Sequence, residues 1–288
     1  MEILLGGVLL GGTYALIAMG LQLQYGVSRI MNLANGEVLV AGSFAAFWLY
    51  TGSSVNPILA IFIIAPLAYI LNWFIYVYFL RPLVKRSKSQ GHLEVDSILS
   101  TFGISFIFIG LMHAIFGGEY FNYEYLEIPY EIFNQAYGVN RIIAFICAVI
   151  FALVLYIWLS KTSSGLKLRA VSVNPDSAKL VGIDVDKTSA MAFSLGGSVT
   201  AAGGSLISMF DTFDASIGVV FTMKALIIVI LGGVKEIKGT IVAAFVLGLA
   251  ETAVATLIDP GLTLAAAFLL FILVLLFRPQ GLFGREAP

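Results

Sequence analysis

The chain is poor in charge. Asp, Glu, Lys and Arg make up 11% of its 288 residues, against about 25% in an average soluble domain. A soluble chain of this length could bury a large core, but it would need more polar surface to cover that core. Cysteine is almost missing: Cys147 stands alone inside an apolar run. One thiol forms no internal disulfide and no metal cluster, so Cys147 reads as packing. Histidine is nearly as scarce, with His92 in a basic stretch and His113 in an apolar one. No His-Glu-x-x-His pair occurs, which excludes a zinc protease, and no metal or cofactor is expected. There is no Gly-x-x-x-x-Gly-Lys-Ser/Thr phosphate loop, so the chain is not expected to hydrolyse ATP itself. A Gly-x-Ser-x-Gly nucleophile turn and a Cys–His pairing are also absent. No catalytic residue is assigned. Residues 1–10 lack the basic region and cleavage site of a signal peptide, so the first helix is expected to insert uncleaved.

What is present is apolar: 59% of the residues are hydrophobic. They come in long runs such as 142–159 and 262–277, and a membrane helix needs about 20 mostly apolar residues. Nine hydrophobic segments are expected, at about 3–25, 36–50, 57–80, 98–117, 139–160, 188–210, 217–233, 239–258 and 262–277. The expected fold is all-α, a polytopic integral membrane helical bundle, with 1–288 as a single domain. Close-spaced glycines, Gly6, Gly7, Gly11 and Gly12, then Gly196, Gly197, Gly203 and Gly204, indicate tight helix packing.

The positive charges set the orientation. With nine crossings, fourteen basic residues fall on one side: Arg29, Arg81, Lys85, Arg86, Lys88, Lys161, Lys167, Arg169, Lys179, Lys187, Lys235, Lys238, Arg278 and Arg285. Only Arg141 and Lys224 are left out. The stretch 118–138 carries Glu119, Glu124, Glu127 and Glu131 without a basic residue, and is expected to face outward.

Two segments are irregular. The second is short and follows the polar run Asn32-Leu33-Ala34-Asn35-Gly36-Glu37; the seventh is interrupted by Lys224. Broken helices in both halves of a chain point to a transport pathway, because non-helical backbone at membrane depth must line a cavity or be buried in protein. Glu251 lies about twelve residues, roughly 18 Å, into the eighth segment. It either faces a pathway or makes an inter-helix hydrogen bond. Glu37 either faces the pathway or caps its helix, where a carboxylate suits the dipole. Asn32 and Asn35 could cap that helix or present amides to a substrate, and N–H groups at such a helix start could meet a carboxylate.

The loop 161–187 is the longest that is both basic and polar. Asn174 before Pro175 is an N-cap followed by a first-position proline, and Gly182 is a stop. The expected short helix would offer Ala178, Leu180 and Val181 to a partner protein, or lie on lipid. So short a helix is marginal alone.

Here the sequence resembles a known family. Asp176-Ser177-Ala178-x-x-x-Gly182 resembles the Glu-Ala-Ala-x-x-x-Gly coupling signature of ABC importer permeases, with Asp for Glu and Ser for Ala. Leu168-Arg169-Ala170-Val171-Ser172 and Gly182-Ile183-Asp184-Val185-Asp186 resemble LivH-type permease subunits of branched-chain amino acid ABC importers. So do Tyr25-Gly26 with Met31 to Glu37, Leu231-Gly232-Gly233 with Lys238-Gly239, Gly248-Leu249-Ala250-Glu251, and the tail Leu276 to Gly284. That family usually has histidine where this chain has Asn35.

The resemblance implies a permease of the bacterial or archaeal cytoplasmic (inner) membrane. It would form a pore with a homologous permease subunit, usually as a heterodimer within membrane lipid. Two cytoplasmic ATPase subunits and a periplasmic substrate-binding protein would complete the importer; no nucleic acid is involved. The implied substrates are branched-chain or other hydrophobic amino acids, with urea, short amides or aromatic acids as the alternative. The expected pathway residues are Asn32, Asn35, Glu37 and Glu251. The expected ATPase-coupling residues are Pro175, Asp176, Ser177, Ala178, Leu180 and Gly182. A secondary transporter would share the broken helices but not the coupling signature.

Overall fold

A computed structural model describes residues 1–283 apart from Lys88, Phe133, Asn134, Lys235 and Pro279. Helices dominate: α1 (Glu2–Ser28), α2 (Asn35–Ser53), α3 (Pro57–Ile75), α4 (Arg81–Arg86), α5 (Gln90–Phe116), α6 (Val139–Lys161), α7 (Ser163–Val173), α8 (Pro175–Leu180), α9 (Val185–Ile207), α10 (Gly218–Gly232), α11 (Ile237–Leu257) and α12 (Thr263–Phe277). One short antiparallel hairpin, β1 (Pro129–Ile132) and β2 (Gln135–Gly138), sits in the acidic stretch. Among the described residues, seven helical stretches are long and apolar enough to cross a membrane. The two remaining expected segments are α2, which begins with its polar run, and α10, only 15 residues long.

Helix departs from the apolar runs at two places: in the expected loop 161–187, where α7 precedes the short α8, and at 81–97. The sequence suggests a polar loop over 81–97, yet helix occupies 81–86 and 90–97. A π-helical turn at Tyr76–Leu80 joins α3 to α4, and α5 begins at Gln90. Pro82 follows that turn; its ring crowds the carbonyl four residues back, and widening the helix relieves the clash. Polar, helix-favouring residues then carry both helices beyond the hydrocarbon-length run.

Helices α1 and α9 lie at the centre and are mostly buried, while α12 fully buries only Ala267 and packs against the core through half-buried Leu270, Phe271 and Val274. The glycine clusters supply the close seams. A Cβ on Gly7 or Gly11 would press into the α11 backbone at Leu249 or Phe245, and one on Gly196 would press on the Gly20 carbonyl. Lipid offers no hydrophobic drive between helices, so close backbone approach supplies the packing.

Contacts between loops sort the molecule into two faces. On one, the Tyr137 hydroxyl donates to the Glu2 carbonyl at 3.3 Å, and Phe121 bridges Phe213 with hydrogen bonds of 2.8 and 3.0 Å. On this face burial pushes the Tyr123 phenol up to about 12, and its hydroxyl hydrogen-bonds the Ser208 hydroxyl at 2.9 Å. On the other, Arg81 reaches the Asp186 carboxylate at 2.9 Å, and the Leu282 N–H donates to the Leu231 carbonyl at 2.7 Å. Of the fourteen basic residues, Lys88, Lys235 and Arg285 lie outside the described residues, as do Pro279 and Gly284 of the tail motif. The other eleven cap, end or begin helices at this second face, or lie in α4, α7 and α8.

Candidate functional site

The chain turns back after α1 at Arg29, which adopts a left-handed conformation at φ 56°. The six residues to α2 are non-helical and largely buried, so their backbone groups need partners inside the protein. A polar stripe on α5 provides them. The Met31 N–H donates to the Ser97 hydroxyl at 3.2 Å and the Leu33 N–H to the Thr101 hydroxyl at 3.1 Å. Thr101 in turn donates to the Met31 carbonyl at 3.0 Å. Ser97, Thr101 and Ser105 recur every four residues, so they share one helix face, and all three are buried. Sequence reasoning missed this stripe, although the spacing was there to be seen.

Helix α2 starts where α10 starts. The Gly36 N–H donates to the Thr222 hydroxyl at 2.8 Å, and Thr222 donates to the Leu33 carbonyl at 3.2 Å. A Cβ on Gly36 would overlap the Gly218 carbonyl. Thus the N-termini of the two irregular helices touch, and only glycine permits that approach. Asn32 and Asn35 lie in this corner. Asn32 donates to the Gln24 side chain at 2.9 Å and accepts from the Ala34 N–H at 3.0 Å. Asn35 accepts from the Thr200 hydroxyl at 3.0 Å, while its Nδ2 meets no partner. Glu37 is fully buried, and neither carboxyl oxygen is hydrogen-bonded. The Ser105 hydroxyl faces it without a well-formed bond.

Glu251 stands at a second corner. The Lys224 ammonium donates to Glu251 Oε2 at 2.8 Å and to the Tyr14 hydroxyl at 2.7 Å. Tyr14 also donates to Glu251 Oε2 at 2.8 Å, and Lys224 sits 4.9 Å from the Tyr14 ring centroid. The carboxyl side chain is 3% exposed and the lysine 12%, so this is a buried ion pair joining α1, α10 and α11. Lys224, which breaks the apolar run of its segment, is the partner that sequence reasoning did not assign. Two opposite charges in apolar helices should have suggested it, since neither is tolerated alone. Glu251 also lines a crevice of about 290 Å³ on the acidic face, with Arg141 and Tyr137. Arg141, the other basic residue off the basic face, lies over the Phe210 ring at 5.7 Å. The structure therefore gathers Asn32, Asn35 and Glu37, and sets Glu251 apart. Helix α10 spans the two corners through Thr222 and Lys224.

On the basic face, the Asn174 side chain caps α8 by accepting from the Asp176 and Ser177 N–H groups, each at 3.0 Å. Pro175 opens the helix, and Gly182 beyond its end takes φ +80°. Asp176 pairs with Lys179 at 3.3 Å in full solvent, and Ser177 is exposed. Leu180 is 89% exposed and Val181 74%. Ala178 is buried, against the cluster that holds Leu168 and Val171. Its small side chain seats α8 on its own chain, and the apolar surface left outward is Leu180 and Val181. Among the described residues, no group of three or more His, Cys, Asp or Glu could hold a metal ion.

Comparison with known proteins gives a family. The family described as "Branched-chain amino acid transport system / permease component" matches residues 3–277. The chain is 28% identical to the high-affinity branched-chain amino acid transport system permease protein LivH of Salmonella typhimurium, over 97% of this chain and 94% of that one. It is 28% identical to the BraD permease protein of the same transport class in Pseudomonas aeruginosa, over 98% and 95% of the two chains. A probable branched-chain amino acid transport permease protein LivH of the archaeon Methanocaldococcus jannaschii is 25% identical over 98% and 92%.

Proposed function

The chain belongs to the family of branched-chain amino acid transport system permease components, and from that premise we propose that it builds half of the membrane pathway of an ABC importer. The other half is a homologous permease subunit, in a heterodimer. Two ATPase subunits bind the basic, cytoplasmic face, and a periplasmic binding protein delivers the substrate. The membrane is the inner membrane of a bacterium or archaeon. Branched-chain and other hydrophobic amino acids are the cargo, as the names of the relatives suggest.

The observation that carries this reading is the meeting of α2 and α10 at Gly36 and Gly218, beside the buried Asn35 and Glu37. A bundle built only to be stable has no use for two helix starts and an unpaired carboxyl inside it, because each unpaired polar group costs free energy. Asn32, Asn35, Glu37 and Glu251 are the pathway residues of this reading. Pro175, Asp176, Ser177, Leu180 and Gly182 present the coupling segment, and Ala178 holds it in place. ATP hydrolysis belongs to the partner subunits.

The test is reconstitution of the chain with its partner permease, ATPases and binding protein in liposomes. Uptake of leucine should require both ATP and the binding protein. Uptake that persists without the ATPases and follows an ion gradient would refute the reading. Glu37→Gln, which keeps shape and removes the ionisable carboxyl, should change the uptake rate while the subunits still co-purify.

A further inference from the structure

At the acidic face, phenylalanine rings from four separate segments meet: Phe44 of α2, Phe116 at the end of α5, Phe121 of the acidic stretch and Phe213 of the α9–α10 connection. The Phe44 ring stacks on Phe116 at 4.0 Å between centroids, and meets Phe121 and Phe213 edge-on at 5.3 and 5.1 Å. Phe44 and Phe213 are buried. This knot of rings stands in line with the polar corner. Phe44 follows Glu37 by seven residues, and Phe116 follows Ser105 by eleven. Those spacings are about two and three helical turns, so each ring shares a helix face with its polar residue, about 10 and 16 Å further along. The seam between α2 and α5 that sets Glu37 opposite Ser105 thus ends in the Phe44–Phe116 stack. It is not a glycine-packed seam, because Gly103 and Gly110 of α5 meet nothing within 4 Å. The other two rings hang on loops. Phe121 and Phe213 exchange both backbone hydrogen bonds. Among the described residues, the ion pairs all lie elsewhere.

We propose that this aromatic knot closes the transport pathway at the acidic face, and that the loops carrying Phe121 and Phe213 move aside to open it. The proposal rests on the transport reading above. Both Glu37 oxygens and Asn35 Nδ2 lack partners inside the protein, and water that could reach them would supply the missing bonds. The rings stand across that approach, and an apolar constriction is one that water leaves. Rings also suit a part that must separate and reclose. Their offset and edge-on contacts attract, yet parting them strands no buried donor or acceptor. Movement at the knot reaches the corner by a short route. Gly218, which touches Gly36, comes five residues after Phe213. A shift of the Phe213 loop therefore opens the knot and loosens the meeting of α2 and α10 together.

A reversible lock tests this. Antiparallel residues that exchange both hydrogen bonds lie about 5.5 Å apart at Cα, inside the range that a disulfide spans. In a Cys147→Ala background, Phe121→Cys combined with Phe213→Cys should cross-link in the complete importer without displacing the loops. In liposomes the oxidised importer should lose leucine uptake by about tenfold or more, and reductant should restore it. Rings that serve only as packing predict no loss, because the lock holds the loops where they already are. A second measurement reads the closure directly. Ser105→Cys, in the same background and in nanodiscs without ATP, should react slowly with a hydrophilic thiol reagent. Adding Phe121→Ala or Phe213→Ala should speed that reaction about tenfold. Adding Phe102→Ala, an exposed ring of α5 outside the knot, should not. The proposal is overturned if the two cysteines fail to cross-link, if the cross-linked importer takes up leucine at the reduced rate or faster, or if Ser105→Cys reacts equally with and without the knot rings. Failure of the transport reading would look different. Leucine uptake would be absent before any cross-linking, while the reactivity of Ser105→Cys would still depend on Phe121 and Phe213.

Discussion

The Lys224–Glu251 pair shows what a single residue can and cannot be asked to reveal. Glu251→Leu alone tests a pathway role badly, because it strands the Lys224 ammonium between α1 and α10. Removing one partner of a buried pair costs about 3–5 kcal/mol, whereas replacing both with apolar groups of similar volume is close to neutral. Glu251→Leu and Lys224→Met should therefore each lower the unfolding midpoint in mild detergent. The double variant should regain most of the loss. If the double variant is stable yet transports poorly, the carboxyl acts in the pathway. If it is stable and transports normally, the pair is a structural tie, and Glu251 leaves the list of pathway residues. The need for a partner was legible in the sequence, since both charges interrupt apolar runs. Which residue it was depended on α10 passing between α1 and α11, and no spacing within one helix encodes that. Ala178 makes the same point from the other side. It was expected to be offered to a partner or to lipid with Leu180 and Val181, and the structure seats it on Leu168 and Val171 of its own chain.

At the level of helices, hydropathy located the nine segments well but misplaced ends wherever polar residues continue a helix. The extension of α3 through Arg86 and the start of α5 at Gln90 lie outside any apolar run. The irregularity of α2 and α10 was legible from Asn32 to Glu37 and from Lys224. Their contact was not, because Gly36 and Gly218 lie 182 positions apart in the chain and nothing local pairs them. That contact predicts a sharp contrast between glycines. Gly36→Ala drives a methyl into the Gly218 carbonyl and the Thr222 hydroxyl, so α2 and α10 must separate. Stability and transport should both drop severely. Gly103→Ala in α5 meets nothing within 4 Å, so by helix propensity it should be neutral or stabilising by about 0.5–1 kcal/mol. Thermal unfolding of both variants checks this, and equal behaviour would remove the special status of Gly36. In α8 the exposed side chain is Leu180, while Ala178 is buried. Leu180→Glu should leave insertion and folding unchanged, because the side chain is exposed, and should reduce ATPase recovery in pull-down. Gly182→Glu adds strain at φ +80° and should act in the same direction. Normal recovery and normal coupled hydrolysis in both would mean that α8 is not where the ATPase docks.

The whole molecule is organised as two unlike faces. One joins the N-terminus, the acidic stretch 118–138, the α9–α10 connection and the start of α12. The other joins the ends of α1, α6 and α12, the α10–α11 turn and the α7–α8 segment. All the described basic residues except Arg141 and Lys224 belong to this second face. Lys/Arg-rich loops stay in the cytoplasm during insertion, so the second face is expected inward and the acidic one outward. The odd count of crossings follows from the same partition, provided α2 and α10 are included. Either helix taken alone is too polar or too short to be counted with the seven long ones. Both must therefore be seated inside the protein, which is where their N-termini meet. An impermeant thiol reagent decides the matter. In a Cys147→Ala background, Tyr120→Cys lies in the acidic stretch and Val173→Cys at the end of α7; the native residues are 77% and 72% exposed. Intact cells should label the first and not the second, and inverted vesicles the reverse. Labelling of both from one side would mean that α2 or α10 does not complete its passage, and the pairing of the loops into two faces would fail with it.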